Sequence, residues 1–186
     1  MIQTLFVTLT MILSGHTGLT PISLPHTYMT VKEVEPVAKI SNVDKSEILW
    51  LARVIFSETK DEDEMRLVGW VVRNRVEAGY RGDTYKKVAL SANQFSGLNP
   101  KDEQYPININ MGYDSTNKKW MKALAIADEI YFADDNERPF SSDVKHFYSP
   151  MSVTKTPKWT TSGELDYEIP GTDGKPARFV FYSGVK

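Results

Sequence analysis

Residues 44–76, DKSEILWLARVIFSETKDEDEMRLVGWVVRNRV, decide the fold. Ile48, Leu51, Ala52 and Ile55 stand at i, i+3, i+4 and i+7, one face of a helix, and Asp44 with Glu47 has capping-box spacing, Asp taking the cap position. The same cap spacing returns at Asp61 and Glu64, ahead of a second apolar stripe of Met65, Val68, Gly69, Val72 and Val76. Gly69 costs its helix about 1 kcal/mol of propensity but permits a close helix contact. Gly79 and Gly82 end this helical hairpin.

Toward the C-terminus, a short helical stretch around Tyr85–Ala92 leads to Asn93-Gln94-Phe95-Ser96-Gly97, whose polar, Gly-terminated composition reads as a loop. Residues 99–117 are turn-rich and irregular. A third long helix is expected from about Ser115 to Ala133, with Trp120, Ala123, Leu124, Ala127, Ile130 and Tyr131 on its core face. After Pro139 the character changes. Residues 144–148 (VKHFY) and 178–182 (RFVFY) are short β-rich runs, separated by prolines and glycines, that can pair as a small antiparallel sheet. The expected fold is therefore α+β and mainly helical, over residues 41–186.

The segment before it, residues 1–40, is of another kind. The first charged side chain is Lys32, and Ile2 to Leu13 form an apolar stretch too short for the roughly 20 residues of a membrane span but within the range of about 7–15 for a secretory h-region. Ser14 and Gly15 follow, then Pro21, Pro25 and Pro36, so the reading is a signal peptide and extended linker, removal of residues 1–25 being left open. The missing n-region Lys or Arg and the missing A-x-A site leave an N-terminal strand or a membrane-anchoring segment as the other reading.

Composition narrows the chemistry. The 186 residues carry 22 Lys plus Arg against 24 Asp plus Glu, a net charge of −2, and the charge is spread evenly enough to argue against the concentrated cationic footprint of a nucleic-acid partner. No cysteine is present, which removes disulfide scaffolds, thiol nucleophiles and Cys-based zinc sites. Of three histidines, His16 and His26 lie in the N-terminal segment and His146 stands apart, so neither a metal nor any other cofactor is expected. Catalysis falls to carboxylates, hydroxyls, Lys or a lone His.

One carboxylate is out of place. Seven residues on from Leu51, the apolar stripe of the first helix arrives at Glu58. A carboxyl on a core-facing helix end is desolvated, which raises its pKa toward that of a general acid working near neutral pH. The competing reading ends the helix at Ser57 and leaves Glu58 on a solvated turn. The run Asp61-Glu62-Asp63-Glu64 reads as a helix cap and a solvated face.

The stretch Leu51-Ala52-Arg53-Val54-Ile55-Phe56-Ser57-Glu58, then Glu64, then Val68-Gly69-Trp70-Val71-Val72-Arg73-Asn74-Arg75-Val76, resembles the opening of the spore cortex-lytic (SleB-like) cell wall hydrolase family. Gln94-Phe95-Ser96 is similar to that family's Gln-Phe-Ser element. His146-Phe147-Tyr148, Pro157-x-Trp159 and the closing Phe179-Val180-Phe181-Tyr182 resemble its later strands and Pro-x-Trp motif, so the likeness covers about residues 47–183. Thr59-Lys60 departs from the usual Ala-Arg, and residues 99–117 and 160–177 look like insertions.

The resemblance implies a lysozyme-like domain that cuts the β-1,4 bond between N-acetylmuramic acid and N-acetylglucosamine in peptidoglycan, as a secreted, periplasmic or phage-encoded enzyme. It implies Glu58 as acid/base of a lytic transglycosylase, with Gln94, Phe95, Ser96, His146, Tyr148 and Trp159 contacting the substrate. The expected partner is the glycan strand, and the expected state a monomer without a stable membrane span. A hydrolytic muramidase with the same acid, and a non-catalytic wall-binding or virion module, are the alternatives. Amidases and peptidases usually need zinc ligands or a cysteine that this chain lacks.

Overall fold

The computed structural model describes residues 41–172 and 174–185, so the N-terminal signal and linker reading lies outside the described residues. In chain order the elements are α1 (Asn42–Glu58), α2 (Glu62–Glu77), α3 (Tyr85–Ala89), α4 (Tyr105–Asn110), α5 (Lys118–Phe132), β1 (His146–Tyr148), β2 (Glu164–Ile169) and β3 (Phe179–Ser183), with short 3-10 turns between some of them. The fold is α+β, predominantly helical with a small antiparallel sheet.

The stripes of the hairpin are buried as the periodicity requires: Ile48, Leu51, Ala52 and Ile55 on α1, Met65, Val68 and Val72 on α2. Gly69 is where α1, α2 and α5 meet, since a Cβ there would stand 2.4 Å from Ile130 Cδ1 and 3.0 Å from Ile55 Cδ1. Trp120 seats α5 in this core, its ring edge-on to Phe56 at 5.7 Å and its indole N–H donated to the Gly112 carbonyl at 2.8 Å.

The first cap lies one turn earlier than its spacing suggested. Ser41 is the N-cap of α1 and forms the capping box with Asp44, which frees Glu47 to accept the Tyr85 backbone N–H at 2.6 Å and tie α3 to α1. Asp61 caps α2 as expected, accepting from the backbone N–H groups of Asp63 and Glu64.

Two elements lie in segments whose sequence carries no helix or strand pattern. Residues 99–117 contain α4, a single short helix with Pro106 in its first turn, where a proline's missing N–H has no partner to lose. Residues 160–177 contain β2, whose Glu164, Asp166 and Glu168 mask the strand signal because acids are poor strand formers. The sheet order is β1-β3-β2, with β1 and β2 both antiparallel to β3. Phe179 and Phe181 of β3 pack with Leu67, Val71 and Val144 in a second core, so the aromatic strand anchors the sheet to α2. Among the described residues no helix is long and apolar enough to cross a membrane.

Candidate active site

Helix α1 runs through Glu58, its last residue, so the acid does not sit on a turn beyond the helix. The turn before it is immobilised by Val54 and Ile55, both fully buried, and the Thr59 backbone N–H closes the helix onto the Ile55 carbonyl at 3.2 Å. Glu58 is half-buried at the side of a cleft of about 500 Å³, lined also by Ser57, Gln94, Ser96, Tyr148 and Ser149. Burial pushes its carboxyl up to about 7, against the opposing pull of the Arg75 and Lys60 charges. The partial negative charge of a helix C-terminus acts in the same direction as burial. Near neutral pH the group is thus divided between its acid and carboxylate forms, the condition for giving a proton and taking one back.

Arg75 lines the same cleft and is not among the residues expected there. It follows Val68 by seven places on α2, the relation Glu58 bears to Leu51, and it is 4% exposed. Its Nε donates to the Lys145 carbonyl at 2.7 Å and its Nη1 to Gln94 Oε1 at 3.4 Å, while the guanidinium lies 5.3 Å from the centre of the Phe95 ring. Burial lowers its pKa to about 10, so it stays cationic at neutral pH and holds the Glu58 carboxyl below the value that burial alone would impose. The stripe arithmetic that singled out Glu58 marks Arg75 equally well.

The Gln94-Phe95-Ser96 loop meets Glu58 across the cleft. Gly97 allows this approach: a Cβ there would come within 3.0 Å of Ser57 Cβ and 2.9 Å of Asn108 Nδ2, the amide that anchors the loop by donating to the Gly97 carbonyl. Gln94 and Ser96 offer amide and hydroxyl groups to the cleft. Phe95 borders it but is 3% exposed, its ring committed to the main core.

Tyr148 lines the cleft, and His146 and Trp159, both half-buried, join it in an aromatic group without lining the cleft themselves. Trp159 meets Tyr148 edge-on at 5.7 Å and lies 5.2 Å from the His146 ring, with Tyr182 closing the group. His146 Nε2 shares a 2.9 Å hydrogen bond with the Tyr80 hydroxyl. Burial, reinforced by the charges of Arg75, Arg81 and Lys145, lowers its pKa to about 4, which keeps it neutral and unsuited to proton transfer at pH 7.

No protein-family model, no curated sequence and no solved structure matches this chain.

On the other side of Glu58 the cleft continues into a second lobe of about 410 Å³, lined by Thr59, Lys60, Glu64 and Arg178 together with Ser149 and Phe179. The reading of Asp61–Glu64 as cap and solvated face is corrected here for Glu64, which is 1% exposed. Three residues past the cap, Glu64 faces the core side of α2. Its carboxylate accepts hydrogen bonds from the Thr59 hydroxyl and from Nε and Nη2 of Arg178. A separate cleft of about 500 Å³ between α2, α5 and β2 has an apolar floor of Leu67, Trp70 and Ile130 and contains none of the residues grouped around Glu58.

Proposed function

We propose that the protein is a lysozyme-like peptidoglycan glycosidase acting on the β-1,4 bond between N-acetylmuramic acid and N-acetylglucosamine, as a lytic transglycosylase that leaves 1,6-anhydromuramoyl ends. The carrying observation is Glu58, a carboxyl raised to about 7 at the junction of two lobes of a cleft, the first lined largely by amide and hydroxyl groups. Such a groove suits a sugar chain, which is held by hydrogen bonds and ring contacts rather than by net charge.

Glu58 in its acid form protonates the glycosidic oxygen as the bond to the anomeric carbon breaks, releasing the N-acetylglucosamine side as an alcohol. The resulting carboxylate then takes the proton from the muramoyl C6 hydroxyl, whose oxygen bonds to the anomeric carbon and closes the anhydro ring. Glu58 ends as the acid it began as. Glycosidases that use a pair of carboxyl groups need the second one free to attack or to activate water. Here Glu64, the other carboxylate bordering the cleft, is engaged by Arg178 and Thr59, which favours a single acid/base over a pair. In a hydrolytic muramidase, water would replace the C6 hydroxyl as acceptor.

The N-terminal apolar stretch, read as a secretory signal, fits an enzyme whose substrate lies outside the membrane. The direct test is Glu58→Gln, which retains the side-chain shape and loses the proton. Purified sacculi should clear with the wild type and stay turbid with the variant, while the variant's circular dichroism remains native. Clearing by the variant at the wild-type rate would remove the proposal.

A further inference from the structure

The two lobes beside Glu58 differ in charge. Besides Glu58, the only charged residue lining the first lobe among the described residues is Arg75, and its guanidinium is committed to Lys145 and Gln94. Besides the shared Glu58, the second lobe carries Lys60 and Arg178 against the carboxylate of Glu64.

Arg178 is held in an unusual way. Its side chain is 52% exposed, yet the carboxylate that grips its Nε and Nη2 belongs to a side chain only 2% exposed. An exposed arginine ordinarily samples many rotamers, and ordering it costs free energy unless a partner fixes its plane. Glu64 supplies that partner from the interior, and Thr59, next in sequence to Glu58, donates its hydroxyl to Glu64 Oε2, the oxygen that Arg178 Nη2 also reaches. The third nitrogen, Nη1, has no hydrogen-bond partner among the described residues. Lys60 also lines this lobe, but its ammonium donates to the Phe56 carbonyl and lies 3.8 Å from the centre of the Phe56 ring, so it adds positive charge while Arg178 supplies the free donor. With Glu58 protonated, the lobe is a cationic recess built on a rigid arginine.

We infer that the Arg178 and Lys60 lobe is a carboxylate-recognition subsite that receives the acid-bearing substituent of the muramoyl unit, while the Gln94 and Ser96 lobe receives the uncharged N-acetylglucosamine. The inference rests on the glycosidase reading and adds a direction to it, because the strand then crosses Glu58 in only one orientation. On this chain's substrate class the carboxylates have two sources, the peptide stem of intact wall and the free lactyl group of strands stripped of their stems. Arg178 is therefore a specificity residue, and Glu64 positions it.

The test is binding in a Glu58→Gln background, where nothing is cleaved. Titration calorimetry compares three glycans: solubilised strands carrying peptide stems, strands stripped to the free lactyl acid, and a chitin hexasaccharide with no carboxylate. Adding Arg178→Gln together with Glu64→Gln, so that no buried charge is stranded, should weaken binding of the carboxylate-bearing strand about tenfold, the size of one charge-assisted hydrogen bond. It should leave chitin binding within about twofold. Arg178→Lys keeps the charge, loses the fixed plane and should fall between. Loss confined to stem-bearing strands assigns the stem carboxylate as the ligand, loss confined to stripped strands assigns the free lactyl acid, and loss on both shows that the subsite takes either carboxylate. Equal loss on all three glycans, or on none, overturns the subsite while leaving the glycosidase reading intact. If the Glu58→Gln protein binds none of them, both readings fall together. Thermal unfolding of each variant at matched pH separates lost affinity from lost fold.

Discussion

Replacing Glu58 by Gln should make the protein more stable while abolishing activity, and the gain should grow with pH. In the folded state the carboxyl titrates at about 7, against an ordinary value of 4.5. Below 4.5 the group is protonated in both states and the substitution is neutral. Between 4.5 and 7 the folded state holds a proton that the unfolded state has released, so each pH unit erodes stability by about 1.4 kcal/mol. The full interval would amount to about 3 kcal/mol, and the contact of Glu58 with the cleft reduces it to about 1–3 kcal/mol. Above 7 the loss is complete and constant. Glutamine carries no such penalty, so Glu58→Gln should match the wild type near pH 4 and exceed its Tm by about 3–8 °C at pH 8. Scanning calorimetry of both proteins at pH 4, 6 and 8 measures this. A Tm difference that is flat with pH, or a variant less stable at pH 8, would refute the account of Glu58 as a desolvated acid.

Other consequences follow from the neighbours of that carboxyl. Arg75→Met removes the cation that holds Glu58 down, so the alkaline limb of the pH–rate profile, set by loss of the Glu58 proton, should move above 7, with about 1–3 kcal/mol of stability lost through the unpaired Lys145 carbonyl. A limb that stays in place or moves down would deny the coupling. His146 should stay neutral until about pH 4 in an NMR titration, and since its folded pKa lies below the ordinary 6.5, its contribution to stability is lost as pH falls from 6.5 toward 4. Ordinary titration near 6.5 would show that the site is more open than described. Gly97→Ala forces the Gln94 loop away from Ser57, and KM should rise while the pH limb, which belongs to Glu58, does not move. An unchanged KM would mean that the loop does not shape the cleft.

Helical phase carried most of what was legible. The stripes of α1, α2 and α5 are spaced at 3.6 residues because a packed helical face leaves no alternative, and the paired aromatic runs of β1 and β3 stand out as apolar, β-branched and aromatic segments. Glu58 was visible as the polar residue on an apolar stripe. Arg75 and Glu64 broke the α2 stripe in the same manner, yet Glu64 was masked by standing in a run of four acids, where helix capping accounts for the composition just as well. Only the tertiary contact with Arg178, 114 residues away, distinguishes it from its neighbours. Strand β2 escaped notice for a related reason: its side chains face solvent, so nothing constrains them to be apolar. The grouping of Trp159 with His146 and Tyr148 is a tertiary ring contact between β1 and a segment about eleven residues on, which no local pattern encodes.

The central claim is that Glu58 alone moves the proton both ways in a glycan cleavage that ends in ring closure. Mass spectrometry of the soluble fragments from purified sacculi tests it most directly, with wild type and Glu58→Gln digested in parallel. The account predicts fragments ending in 1,6-anhydromuramoyl units with the wild type and none with the variant. Reducing muramoyl ends would replace ring closure with water as the acceptor, and anhydro ends from the variant, or no fragments from the wild type, would contradict the claim itself.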